Sequence, residues 1–191
     1  MTAASILRAA RASSGVGQAE LARRAHTSQS DISLIESGKR KPNVETFARL
    51  LNGTGHHLIA VRTSHPDAVE TASLISTTVL SGDQEFAFRR FIDYSDGLAA
   101  SRGVERVALT IAEPQPTGIP KWDAAIAAVA EYWLDEENLP KPSWLDVRAR
   151  VLDEPESLSF SVYDGAPDPD KIPAQFAARG VLMERSTLAS I

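Results

Sequence analysis

Residues 18–42 read QAELARRAHTSQSDISLIESGKRKP, and their spacing decides the architecture of the front of the chain. Across Gln18 to Ala25, residues Leu21, Ala22 and Ala25 share one stripe of a helix; across Ser28 to Glu36, Ile32 and Ile35 share another. Two helices this short bury their apolar stripes by folding against each other, and Ala22 is small enough to let them approach closely. Ser28 has the hydroxyl of an N-cap and is followed by Gln29, Ser30 and Asp31, so the second helix opens with small polar groups and an acid near its positive dipole end. Gly38 stops it.

A helix start that exposes Gln29, Ser30 and Ser33 beside Lys39, Arg40 and Lys41 has the chemistry of a DNA reader. Amide and hydroxyl groups bond base edges in the major groove, a glutamine can hold adenine through both ends of its amide, and cations hold phosphates. Working outward, Asn43 reads as the N-cap of a helix through Val44, Phe47, Leu50 and Leu51, and a helix carrying Ile6, Leu7 and Ala10 precedes the segment. Together these predict a compact bundle of four or five helices over residues 1–62, with a second, acidic domain over residues 63–191.

On these residues, 3–62 resemble a Cro/C1-type (XRE-like) helix-turn-helix domain of the lambda-repressor-like fold, and SQSDISLIESGKRKP is the most specific stretch. The resemblance implies that the first helix of the motif crosses the DNA backbone while the second lies in the major groove, and that a homodimer places two reading helices about one DNA turn apart on double-stranded operator DNA. It further implies phosphate contacts from Gln18 and Asn43 and base contacts from Ser28, Gln29, Ser30 and Ser33. Two positions depart from the pattern. His26 stands where a turn glycine is usual, which asks a residue with a side chain to accept a left-handed backbone. Leu34 stands where arginine or another polar residue is common, which removes one expected polar contact.

Charge divides the chain in the same way. Residues 1–62 hold nine Lys/Arg and four Asp/Glu, a balance of +5, and residues 63–191 hold eleven and twenty-one, a balance of −10, which together make the net −5 of the whole. A basic front suits a polyanion, and an acidic remainder suits avoidance of it or a basic partner. With 191 residues, 43% of them hydrophobic, the chain is globular with room for one or two domains. It has no apolar run long enough to span a bilayer, no secretory pattern in MTAASILRAARASS, and no cysteine for a disulfide or thiolate metal site. A cytoplasmic location is expected.

Beyond the front segment, HLIAVR and His65-Pro66 read as an extended linker. Helices are expected over 67–80, with Ala68, Val69, Ala72 and Ile75 inward, over 83–100, and over 103–112. The clearest is Trp122 to Leu139, whose Trp122, Ala125, Ile126, Val129, Trp133 and Leu134 form an apolar face; Pro140 and Pro142 end it, and Ser143 caps a short helix with Trp144, Val147 and Val151. Residues 153–173 read as a proline-rich, acidic loop segment before a short helix in PAQFAARGVLM. The fold expectation is therefore mainly α.

WDAAIAAVAEYWLDEENLPKPSWL followed by PAQFAARGVLM resembles the C-terminal region of actinobacterial XRE-like regulators encoded beside a nucleotidyltransferase-like protein, over roughly residues 115–185. Such pairs look like toxin–antitoxin modules, which implies that the acidic half binds and silences the toxin while the front domain represses the shared operon. Trp133, Phe176 and a Val181-Leu182-Met183 patch, taken as exposed, are the expected partner contacts.

Catalytic signatures are missing from the sequence: no HExxH, GxxxxGK[ST], GxSxG or strand-linked GxGxxG occurs. His56, His57 and His65 read as surface histidines, and Asp135-Glu136-Glu137 as a solvated helix end rather than a cation cage. Trp122, Trp133 and Trp144, spaced every eleven residues, read as core. No enzyme activity, metal or cofactor is expected. The leading expectation is an antitoxin and autorepressor. The alternative is a stand-alone transcription regulator whose second domain dimerises or senses a small ligand.

Overall fold

A threonine N-cap starts the first helix: the Thr2 hydroxyl accepts the Ser5 N–H, and Ser5 answers by accepting the Thr2 N–H, closing a capping box. The computed structural model describes residues 2–158 and 166–188. The chain divides into two compact units, Met1–Ala60 and Val61–Ile191. Both are mainly helical.

Four helices make the first unit: α1 (Ala3–Ser13), α2 (Gln18–Arg24), α3 (Gln29–Glu36) and α4 (Val44–Gly53). Their inward stripes meet in one core of Leu7, Ala10, Val16, Leu21, Ala22, Ala25, Ile32, Ile35, Phe47, Leu50 and Leu51. Burying each large aliphatic or aromatic group contributes about 1.5–3 kcal/mol, which offsets the weak intrinsic stability of helices only two or three turns long. The turn from α2 to α3 runs through His26 at φ 49°, so histidine does take the left-handed backbone expected of it.

In the second unit α5 (Ala68–Leu80) and α6 (Gln84–Ala100) form an antiparallel hairpin, each begun by an aspartate N-cap. Asp67 accepts the Glu70 N–H at 2.8 Å and Asp83 the Phe86 N–H at 2.9 Å. Gly82, at φ 83°, makes the reversal between them. A Cβ on Gly97 of α6 would lie 2.6 Å from His65 Cβ, so only glycine lets the incoming segment cross that helix.

Next come α7 (Gly103–Thr110) and α8 (Pro120–Glu136). The sequence predicts one apolar face for α8, but every residue from Trp122 to Ala130 is buried. The alanines are why: a helix so slender on every side admits neighbours all round. It therefore runs as the axis of the unit, packed by α5, α6 and α7, by single-turn 3-10 segments at Ser143–Asp146 and Arg148–Arg150, and by α9 (Ala174–Ala177). The helix expected after Ser143 is thus two 3-10 turns, which break at Val147 in extended backbone. Two residues of β1 (Glu156–Ser157) pair in parallel with β2 (Val181–Leu182). Among the described residues no helix is long and apolar enough to cross a membrane.

Arg106 joins three chain segments inside this unit. It is 1% exposed; its Nε donates to the Leu98 carbonyl at 2.8 Å and its Nη1 to the Trp133 carbonyl at 2.8 Å. One guanidinium thereby satisfies carbonyls near the C-terminal ends of α6 and α8, which have no helical partner of their own to offer. Glu137 lies 3.6 Å from it and compensates the charge.

Candidate nucleic-acid interface

Helix α3 is set by its cap. Ser28 Oγ accepts the Asp31 N–H at 3.1 Å and shares a hydrogen bond of 2.8 Å with Ser30 Oγ. Asp31 is held below the usual carboxylate range, first by its hydrogen bonding to Ser28, with the charge of Arg40 and the Thr27 hydroxyl adding to this against a desolvation cost. Of the four expected base readers, Ser28 and Ser30 are therefore already engaged with each other. Gln29 and Ser33 are exposed and have no side-chain hydrogen bond among the described residues.

The inner face of α3 carries Ile32 at 0% and Ile35 at 3% exposure, and beside them Glu36 at 6%. A buried carboxylate requires partners. Arg11 of α1 supplies a two-pronged one, Nε to Oε1 at 2.8 Å and Nη2 to Oε2 at 3.3 Å, and Gln18 of α2 donates its Nε2 to Oε2 at 2.7 Å. The same Arg11 donates to the Val16 carbonyl at 3.1 Å. One carboxylate thus ties α1, α2 and the loop between them to α3. Reading the sequence for DNA contacts missed this clamp. Its signal was an acid at an inward position, since Glu36 follows Ile32 by four residues on the helix.

Gln18 belongs to this clamp. Its side chain, expected on phosphate, is half-buried and donates one amide hydrogen to Glu36, which joins α2 to α3. Asn43 likewise uses its Oδ1 to accept the Thr46 N–H at 2.8 Å, as the expected N-cap of α4, and remains exposed.

Beyond α3 the chain turns at Gly38, φ 76°, and the Arg40 N–H comes back to the Leu34 carbonyl at 3.1 Å. The Lys39–Lys41 loop is thereby held against the end of α3. Its three cations are exposed but not equivalent. Arg40 pairs with Asp31, whereas Lys39 and Lys41 have no ion pair among the described residues. On the other side, Arg23 and Arg24 both pair with Glu20, whose carboxyl their hydrogen bonds hold down to about 2.

The residues expected to meet a partner fall differently. Phe176 and Val181 are 0% exposed and Met183 is 2% exposed, so the reading of a surface patch is corrected: these side chains are core. The reason is local topology, because pairing of β2 with β1 and packing on α8 turn Val181 and Met183 inward. Leu182, between them in the alternation of a strand, is half-buried. Trp133 is half-buried too, its Nε1 donating to Ser95 Oγ at 3.1 Å. Exposed apolar groups of this unit lie elsewhere, among them Leu80 and Phe86 at the hairpin tip, Val104 on α7 and Ile111 just after it. No cluster of three or more metal-ligating side chains occurs among the described residues.

Residues 4–58 match the family model described as Helix-turn-helix domain. That range covers α1 to α4 and the basic loop, and this part of the chain is a helix-turn-helix DNA-binding domain. No curated protein and no solved structure matches the chain significantly.

Proposed function

We propose that the chain is a sequence-specific repressor that reads its operator with α3 and serves as the antitoxin of a toxin–antitoxin pair. In this reading residues 63–191 bind and silence a nucleotidyltransferase-like toxin, and the protein works by binding alone, with no catalysis of its own. The observation that carries the DNA half is the exposed Gln29 and Ser33 beside Lys39 and Lys41, which have no ion pair among the described residues, on a helix whose inner face is anchored by Ile32, Ile35 and Glu36. The anchored face fixes which side chains enter the groove. The Gln29 amide then offers a donor and an acceptor to adenine, the Ser33 hydroxyl offers either, and the two lysines neutralise flanking phosphates. A homodimer would repeat this one DNA turn away.

Support for the toxin half is the −10 balance of residues 63–191 and the resemblance of residues 115–185 to antitoxins of such pairs. With Phe176, Val181 and Met183 in the core, contact would fall on outer surfaces, such as the exposed Val104 of α7 and Ile111 just after it, rather than on that segment.

The DNA half is tested by binding of the full chain to duplex from its own promoter region over a series of salt concentrations. The expected result is affinity falling linearly in log–log form, with Lys41→Ala reducing the slope by about 0.9. Binding that ignores salt sinks it. The toxin half is tested by co-expression with the nucleotidyltransferase-like product of a neighbouring gene. A stoichiometric complex through residues 63–191, together with loss of the toxin's activity, is expected. DNA binding without such a complex would leave the stand-alone regulator.

A further inference from the structure

Leu34 is 41% exposed, on the outer side of α3, one turn beyond Ser30 and next to Ser33. It takes no part in the core of its unit, which is complete with Ile32 and Ile35 from the same helix. Its own carbonyl accepts the Arg40 N–H at 3.1 Å, so the loop bearing Lys39 and Lys41 lies at that end of the helix. An aliphatic side chain is thereby bordered by hydroxyls on one side and by cations on the other.

We infer that Leu34 is a specificity residue whose side chain packs on the 5-methyl group of a thymine in the major groove. This rests on the DNA-binding reading given above. A leucine forms no hydrogen bond, and thymine has the one apolar group, its methyl, that a base pair presents in the major groove. Opposite cytosine, adenine or guanine, the same side chain would cover an amino group or acceptor without satisfying it. Reach points the same way. Ser30 and Ser33 are short, so Leu34 projects furthest from this part of the helix and meets the floor of the groove first. Lys39 and Lys41, unpaired among the described residues and in the loop at that end of the helix, match phosphates beside such a contact and disfavour an apolar protein surface there. Where a polar residue would read a base by hydrogen bonds, this chain reads a methyl.

The experiment uses the full chain and a duplex selected by it from a random pool, in which each thymidine is replaced in turn by deoxyuridine, removing only the methyl. At one thymine of each half-site the wild type is expected to lose about fourfold in affinity per replacement, the value of one buried methyl. Leu34→Ala should bind the parent duplex about as weakly as the wild type binds the duplex with both of these thymines replaced, and should not distinguish the two. Leu34→Met, which keeps an apolar side chain, should still distinguish them, and both variants should keep the wild-type circular dichroism because the position is outside the core. Indifference of the wild type to every uridine replacement overturns the inference, as does unchanged discrimination in Leu34→Ala. Failure of the wild type to select any duplex is a separate result, which brings down the DNA-binding reading as well.

Discussion

At Glu36 a carboxylate 6% exposed meets one arginine and one amide, and its titration follows from that company. Burial pushes its pKa up, but the hydrogen bonds from Arg11 and Gln18 and the charge of Arg11 outweigh this, leaving it below the usual value. A depressed folded-state pKa contributes stability above the unfolded value of about 4.3 and loses it as pH falls through the folded one. The first unit should therefore lose thermal stability on acidification below about pH 4, and Glu36→Gln should flatten that part of the curve. At neutral pH the same variant should cost about 1–3 kcal/mol, because its three hydrogen bonds lose the carboxylate charge and the new amide NH2 would face a donor. Circular-dichroism melts across pH check both expectations; an acid limb as steep as that of the wild type would show the clamp is not what titrates. Gln29, exposed and without a side-chain hydrogen bond among the described residues, answers a different question. Gln29→Ala should reduce discrimination between operator and random duplex by about 1–3 kcal/mol with little change in the melt. Equal affinities for both duplexes before and after the change would remove it from the base readers.

Among the elements, α3 and α8 illustrate two uses of a helix. In α3, one side is anchored and the other is left open, which is how a short helix becomes a rigid presenter of side chains. Its cap and its expected base contacts draw on the same residues, since Ser28 and Ser30 are bonded to each other. In α8 no side is left open over Trp122 to Ala130, and its function in the fold is to be packed against. Its C-terminal end is held by Arg106, which also serves α6. Arg106→Met keeps the length of the side chain while withdrawing its donors. It should destabilise the second unit by about 3 kcal/mol, measured by urea denaturation followed through tryptophan fluorescence, because buried carbonyls are left unpaired, while Glu137 keeps its pairing with Arg102. A loss under about half a kilocalorie would mean those carbonyls find water instead.

For the molecule as a whole, the two units have separate cores and opposite charge. A fragment of residues 1–62 contains the complete first core and a balance of +5. It should fold cooperatively, as seen by circular dichroism, and retain salt-sensitive DNA binding without the repulsion from the acidic half; a fragment that stays unfolded would show that its core depends on the rest of the chain.

The helices of the first unit were legible in the sequence because each carries its own local signals: the Ser28 and Asn43 caps, the apolar stripes at helical spacing, the stop at Gly38. Such signals act over one or two turns and need no distant partner. The same holds for the open face of α3 and the basic loop after it, whose polarity is written residue by residue. Which of those polar groups are free was decided only by the tertiary structure, because Gln18, Glu36 and Arg11 lie far apart in sequence and meet only when three helices close. Distance in sequence likewise hid the burial of Val181 and Met183, which an apolar run alone cannot distinguish from a surface patch. Local chemistry determines where a helix begins, ends and turns its greasy side; whether a given side chain faces water depends on what the remainder of the chain brings against it.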